Sequence, residues 1–391
     1  MNEVYADHAA TTPLRPEVLE AMAPYLGAQY GNPSSGHRWG RRAASSLEGA
    51  RAMLAAAIGA APGEIVFTRG GTEANNLALA GTAAVRPPHS PLVVSAFEHK
   101  AVLDTVDHLD APVLRIPVRA GSGLDLTALE DALRRDAALV SVMWVNNETG
   151  DIQPVEEAAA LAAAAGVPFH TDGVQAVGKI AVDLGSVAVD LMTMTGHKLG
   201  GPTSAGALFV REGTELAPLL HGGGQERGLR PGTQDVAGAV GLATAVRLAT
   251  EERLEKTAAW DRLCSRLVSG LRDIVPGLTR YGVGLERAPH VVNVGIPGHA
   301  PDALIAALDL EGIAASGGSA CSSGSAARSY VLDAIHGPAG GVSGSDSEGA
   351  APPAPVRFSF GWTSTGEEVE RILEAVERVV RRATAGLPGS R

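Results

Sequence analysis

Between Glu64 and Val210, short β-rich runs alternate with alanine-rich stretches of helical periodicity, and no other feature constrains the fold as strongly. Strands joined through helices run parallel, because a crossover long enough to hold a helix brings the chain back to the same end of the sheet. The expected strands are EIVFT, LVVSAF, VLRIPV, LVSVMWV, VPFHTD, VDLMTMT and GALFV. Most are near-continuous apolar runs, the pattern of strands covered on both faces. TEANNLALAGTAA and VEEAAALAAAAG are two of the helices expected between them. The fold class is read as α/β with a mainly parallel seven-stranded sheet.

Around Glu251 the pattern changes to a long amphipathic helix, followed by mixed strands and helices. In the last helix, EEVERILEAVERVVRR, the residues Val369, Ile372, Leu373, Val376, Val379 and Val380 repeat at helical spacing behind a capping box formed by Thr365 and Glu368. A chain of 391 residues is long for one domain. The expected division is a large domain over 13–250 and a smaller α+β domain built from 1–12 and 251–391. Within the second, Gly337 to Pro355 is rich in Gly, Pro, Ala and Ser and has little to bury, so a solvated insert is expected.

In an open parallel sheet, ligands bind beyond the carboxyl ends of the strands, and here the reactive side chains cluster at those ends. After EIVFT come Gly70 and Gly71, which let a ligand approach the backbone, and Thr72, which opens a helix whose free amides suit a phosphate. Glu98 and His99 follow LVVSAF, and Asn146, Asn147 and Glu148 follow LVSVMWV. Asp172 ends VPFHTD with Gln175 three residues on, and Gly196, His197 and Lys198 follow VDLMTMT. The chain has three other lysines, and Lys198 alone combines a preceding apolar strand with a glycine-flanked turn. That placement suits a Schiff-base lysine for a carbonyl cofactor.

Together these residues read as a site for pyridoxal phosphate. Asp172 is the expected partner of the ring nitrogen, which must stay protonated if the ring is to accept electrons. His99 is read as stacking on the ring and moving protons, and Gln175 as bonding the ring hydroxyl. Thr72, Thr195 and His197 are the expected phosphate ligands, and Lys198 is also the base at the substrate's α-carbon. Each is a weak signal alone, since an Asp, Asn or His at a strand end is more often a cap or turn residue.

The chain has two cysteines. Cys264 lies at helical spacing with Leu267, Val268 and Leu271 and reads as core. Cys321, in SGGSACSSGS, sits among residues that favour an exposed loop, so no structural disulfide is implied. With 43 acidic against 32 basic side chains, the net charge of −11 argues against direct nucleic-acid binding. No apolar run approaches the roughly 18 residues of a membrane span, and the first residues lack a signal-peptide layout. A cytoplasmic location is the resulting expectation.

The strings YADHAATTP, FTRGGTEANN, EHKAVLD, VNNETG, HTDGVQAVGK, TGHKLGGP, HGGGQERGLRPGT, SGGSACSSGS and VRFSFG together have a further meaning. From Tyr5 to about Arg382 the chain resembles the cysteine desulfurases of the NifS and IscS type, in the class V group of fold type I pyridoxal-phosphate enzymes. The resemblance implies a homodimer. It implies that Gly71, Thr72, Thr195, Gly196 and His197 bind the phosphate, joined by Thr233 from the other subunit, with Asn147 beside the cofactor. Asn32 and Arg357 become the substrate-carboxylate ligands, Arg357 by a bidentate pair.

By the same resemblance, Cys321 is the nucleophile that takes sulfur from L-cysteine as a persulfide. Its loop, about 316–330, would pass the sulfur to an acceptor protein such as an iron–sulfur scaffold or a thiolation enzyme. Two features depart from the family pattern: the stretch Arg69-Gly70-Gly71 stands where a serine and an alanine are expected in the phosphate turn, and the 337–355 insert lengthens the path to Arg357. The rival readings are a selenocysteine lyase or aminotransferase-like enzyme on the same scaffold, and a non-catalytic sulfur-relay protein. A dehydrogenase is remote, since no Gly-x-Gly-x-x-Gly turn follows the first strand.

Overall fold

The structure, a computed structural model, describes residues 3–121, 123–282, 284, 286–317, 329–337 and 353–385. The elements that build the site are β1 (Ile65–Thr68), α1 (Gly71–Ala83), β2 (Leu92–Ser95), α2 (Lys100–His108), β3 (Val113–Ile116), β4 (Leu139–Ser141), α3 (Val155–Ala164), β5 (Phe169–Asp172), β6 (Leu191–Thr195) and β7 (Gly206–Val210). The seven strands form one sheet in the order β1-β7-β6-β5-β4-β2-β3. Five of them pair in parallel, and β7 alone runs antiparallel to both its neighbours. The α/β class and the expected strands are present. Strand lengths are shorter than the apolar runs: LVSVMWV is a strand only over Leu139–Ser141, although its remaining apolar residues stay buried.

Every residue of β1, β2, β4, β5, β6 and β7 is buried. Helices cover both faces, so the strands have no solvent side on which polar residues would alternate. One core packs α3 and the helix Val236–Glu251 against the sheet, with Phe97, Phe169, Met192 and Phe209 at its centre. A smaller core on the opposite face holds Leu77, Leu79 and Ala74 of α1 against Val66, Leu92 and Leu208.

A third core lies elsewhere, around the strands Thr279–Arg280, Val291–Ile296 and Ala354–Ser359 and the helices Arg253–Ile274 and Gly366–Ala385. Val4 and Ala6, at the other end of the chain, belong to it. The capping box forms at the last helix, where Thr365 N donates to Glu368 Oε2 at 2.8 Å. The long amphipathic helix expected around Glu251 is Arg253–Ile274, and it follows directly on the helix Val236–Glu251.

One expectation is corrected. Gly337 to Pro355 does not end as solvated loop, because Ala354 is fully buried and Pro355 pairs with Gly295 in the small sheet. Residues 338–352 of that segment lie outside the described residues, as does Cys321 with most of its loop. No helix among the described residues is long and apolar enough to cross a membrane.

Candidate active site

The exits of β1, β2, β5 and β6, with the segment after β4, open on one cleft of about 270 Å³. Of the residues singled out in the sequence, it is lined by Gly71, Thr72, His99, Asn147, Glu148, Asp172, Gln175, Thr195, His197, Lys198 and Arg357. Gly196 is buried in the same turn as Lys198. Asn32 and Thr233 are not among the lining residues of this chain. Asn32 is exposed and turns its Oδ1 to Ser34 N at 2.9 Å, and Thr233 is also exposed.

At one end of the cleft, α1 begins at Gly71, and Gly71, Thr72 and Asn75 of its first turns line the space. Gly70, at φ 136°, takes a backbone conformation that side-chain-bearing residues rarely adopt, which explains a glycine in this turn. Asp172 is 5% exposed and receives Asn75 Nδ2 on Oδ2 at 2.8 Å and Val174 N on Oδ1 at 3.0 Å. The sequence reading missed Asn75. It lies one turn after Thr72 in TEANN, and that spacing was the available signal.

His99 caps α2 by accepting Ala101 N on Nδ1 at 3.0 Å, which turns the Nε2 edge of its ring away from the helix. Beside it, Glu98 is fully buried. Its Oε1 accepts Ser95 Oγ at 2.5 Å and Met143 N at 2.6 Å, while Oε2 has no hydrogen-bond partner among the described residues. Burial pushes this carboxyl up to about 8, and the nearby Asp172 adds to the shift.

Lys198 sits in a short 3-10 turn, Gly196–Lys198, after β6. Its Nζ donates to Ala9 O at 2.6 Å and to Ala10 O at 2.5 Å. The N-terminal segment thus clamps the lysine turn, and Thr12 Oγ1 donates to His197 O at 2.8 Å as part of the same clamp. His197 Nδ1 lies 3.2 Å from Thr11 Oγ1, and burial, with Lys198 and Lys179 adding repulsion, lowers this imidazole to about 4. It is therefore neutral at physiological pH and can meet a phosphate as a hydrogen-bonding group rather than a cation.

Arg357 is almost fully buried on the edge of the cleft. Its Nη2 donates to Asp7 Oδ1 at 2.6 Å and its Nη1 to Asn147 O at 2.9 Å. The partner Asp7 is separated from it by 350 residues, so no local sequence signal marked the pair. The other cysteine is disposed of by its surroundings. Cys264 donates to Pro289 O at 2.7 Å, and burial pushes its thiol up to about 12, which makes it a core residue and a poor nucleophile.

The family model for class-V aminotransferases matches residues 4–372. The chain belongs to that family, among its cysteine desulfurases. An IscS-like cysteine desulfurase of Mycobacterium tuberculosis is 42% identical over 97% of this chain and 96% of its own length. Among solved structures, a NifS-like protein has a TM-score of 0.88 at 34% identity, with 97% of this chain and all of that chain covered. A second, SspA in complex with cysteine, has a TM-score of 0.75 at 32% identity over 92% of this chain and 99% of that one.

Proposed function

We propose that the protein is a pyridoxal-phosphate-dependent cysteine desulfurase that converts L-cysteine to L-alanine and carries the released sulfur as a persulfide on Cys321. The observation that carries this reading is the convergence of Lys198, Asp172, Gln175 and His99 with the N-terminus of α1 on a single cleft. The residues suit the cofactor: an acid with donors on both oxygens at one end, a helix N-terminus for a phosphate, and a lysine amine within the same space. Asn147 Oδ1, buried on the lining and without a hydrogen-bond partner, is a further polar atom that a ligand would satisfy. When bound, pyridoxal phosphate supplies a sink for the electrons released at the substrate's α-carbon.

In this reading, Asp172 holds the ring-nitrogen proton and Gln175 bonds the ring hydroxyl. Gly71, Thr72, Thr195, Gly196 and His197 receive the phosphate, with Thr233 added from the second copy of a homodimer. Lys198 Nζ would hold the cofactor aldehyde, and its amine would be the base for the proton on the substrate's α-carbon. Arg357 and Asn32 orient the substrate carboxylate, Arg357 by exchanging part of its present bonding to Asp7 and Asn147 for the ligand. His99 relays the substrate thiol proton.

The Cys321 thiolate then attacks the substrate sulfur. A sulfur–sulfur bond forms as the carbon–sulfur bond breaks, leaving alanine and the persulfide, which an acceptor protein discharges. The acceptor in this reading is an iron–sulfur scaffold or a thiolation enzyme, and the setting is cytoplasmic. A division into 13–250 and 1–12 with 251–391 is part of this reading; Val4, Ala6 and most of the core residues after 251 share one core, while Ala288, Val331 and Ile335 pack into the core of the large sheet.

Alanine and sulfide release from L-cysteine with a reductant tests the proposal, with the cofactor's visible absorbance recorded alongside. Lys198→Ala is expected to lose both the visible band and turnover, by at least about 10³-fold. Cys321→Ser is expected to keep the band and lose turnover. Full activity of Cys321→Ser on cysteine would replace the persulfide route with a lyase that acts without this thiol, such as a selenocysteine lyase.

A further inference from the structure

A second lysine lies behind the cleft. Lys179 is 4% exposed, and its Nζ donates to Gln175 Oε1 at 2.6 Å. His290, 1% exposed, brings its Nε2 to 3.1 Å from the same oxygen. On the other side of the amide, Gln175 Nε2 donates to Ala9 O at 2.9 Å, and Ala9 O also receives Lys198 Nζ at 2.6 Å. The four groups form one chain, from Lys179 through Gln175 and the Ala9 carbonyl to Lys198.

The chemistry of this chain fixes which way the amide faces. A backbone carbonyl can only accept, so the atom against Ala9 O must be the nitrogen. The atom against Lys179 is then the oxygen, which accepts an N–H from the lysine in either of its protonation states. Both ends fit that orientation. Gln175 Oε1 then has both lone pairs engaged by Lys179 and His290, and the remaining N–H of its amide is the group it can offer to the cleft.

We infer that Lys179 is a positioning residue: it locks Gln175 so that the amide presents a donor, never an acceptor, to the ring oxygen of the cofactor. The inference rests on the reading of the cleft as a pyridoxal-phosphate site. A donor at that oxygen stabilises its anionic form and so lowers the affinity of the neighbouring cofactor–lysine linkage for a proton.

The charges around Lys179 work in the same direction. Lys198 and Arg357 repel it, and His8, His197 and His290 all respond to its charge. Burial first, and these cations second, lower its pKa well below the ordinary lysine value. Whether it is charged or neutral, it retains N–H groups to donate to Gln175. No family-level reading of the sequence assigned it a role, because the interaction falls between a loop residue and another loop residue one turn away.

The test is a spectroscopic pH titration of the holoenzyme's visible band without substrate. Lys179→Met removes the donor at nearly constant volume, and the midpoint is expected to rise by about one pH unit with the cofactor content unchanged. On a Gln175→Leu background the same substitution is expected to add no further shift, since the effect passes through the amide. Should the Lys179→Met protein fail to accumulate, His290→Leu removes the second donor to the same oxygen and is expected to raise the midpoint in the same direction. An unmoved midpoint, or full additivity on the Gln175→Leu background, overturns the inference. A protein with no titrating visible band at all would instead overturn the cofactor reading beneath it.

Discussion

Glu98 and Asp172 are buried carboxyl groups at the exits of β2 and β5, two strands that flank β4, and their surroundings differ. Asp172 has a donor on each oxygen, from Asn75 and from Val174 N, the arrangement a carboxylate anion takes. Glu98 has two donors crowded on one oxygen and none on the other, and burial holds it up at about 8, largely neutral at physiological pH. Similar burial thus accompanies two different hydrogen-bond settings. The two acids differ in how donors are placed around their oxygens, and of the two only Asp172 lines the cleft, where the buried Glu148 lies as well.

Asp172→Asn tests that contrast most severely. Replacing the anion by a neutral amide at the ring-nitrogen end is expected to lower kcat/KM for L-cysteine by about 10³-fold, with the protein still folded by circular dichroism. Asn75→Leu removes one donor and leaves the acid in place, so a smaller loss of about 10-fold is expected in the same assay.

Glu98→Gln is expected to leave kcat within about two-fold, since a neutral acid is exchanged for a neutral amide. Its signature lies in stability. The folded pKa of Glu98 is raised above its unfolded value of 4.5, so its contribution is fully present below that pH and is lost as pH rises towards about 8. Relative to Glu98→Gln, the unmodified protein should lose about 1 kcal/mol per pH unit across that window, read as a falling difference in Tm. A difference that stays flat with pH would mean that Glu98 is ionised after all, and the contrast with Asp172 would collapse.

The sheet was legible in the sequence because its strands are covered on both faces, and continuous apolar runs such as VDLMTMT and GALFV leave no other reading. The site's reactive groups were legible for the related reason that they follow those runs at their carboxyl ends. What the sequence hid was the set of groups that hold the reactive ones. Asp7 meets Arg357 across 350 residues, Ala9 and Ala10 grip Lys198 through carbonyls that any residue possesses, and Lys179 is marked by burial alone. Ala354 and Pro355 were hidden differently. Their glycine- and proline-rich surroundings suggested a loop, while pairing with Val291–Ile296 makes them strand.

The N-terminal clamp has a consequence for how the protein is made. Val4 and Tyr5 pair with Ile313 and Ala314, Ser359 N donates to Ala6 O at 2.7 Å, and Ala9 N donates to Ser359 Oγ at 2.8 Å. The segment that holds Lys198 is thus itself anchored by residues translated more than a hundred positions later than that lysine. A ribosome that has finished the whole large sheet still carries a chain whose lysine turn lacks its clamp. The clamp in the form seen here can be completed only after the strand ending at Ser359 has left the exit tunnel, so the geometry around Lys198 is a late product of synthesis.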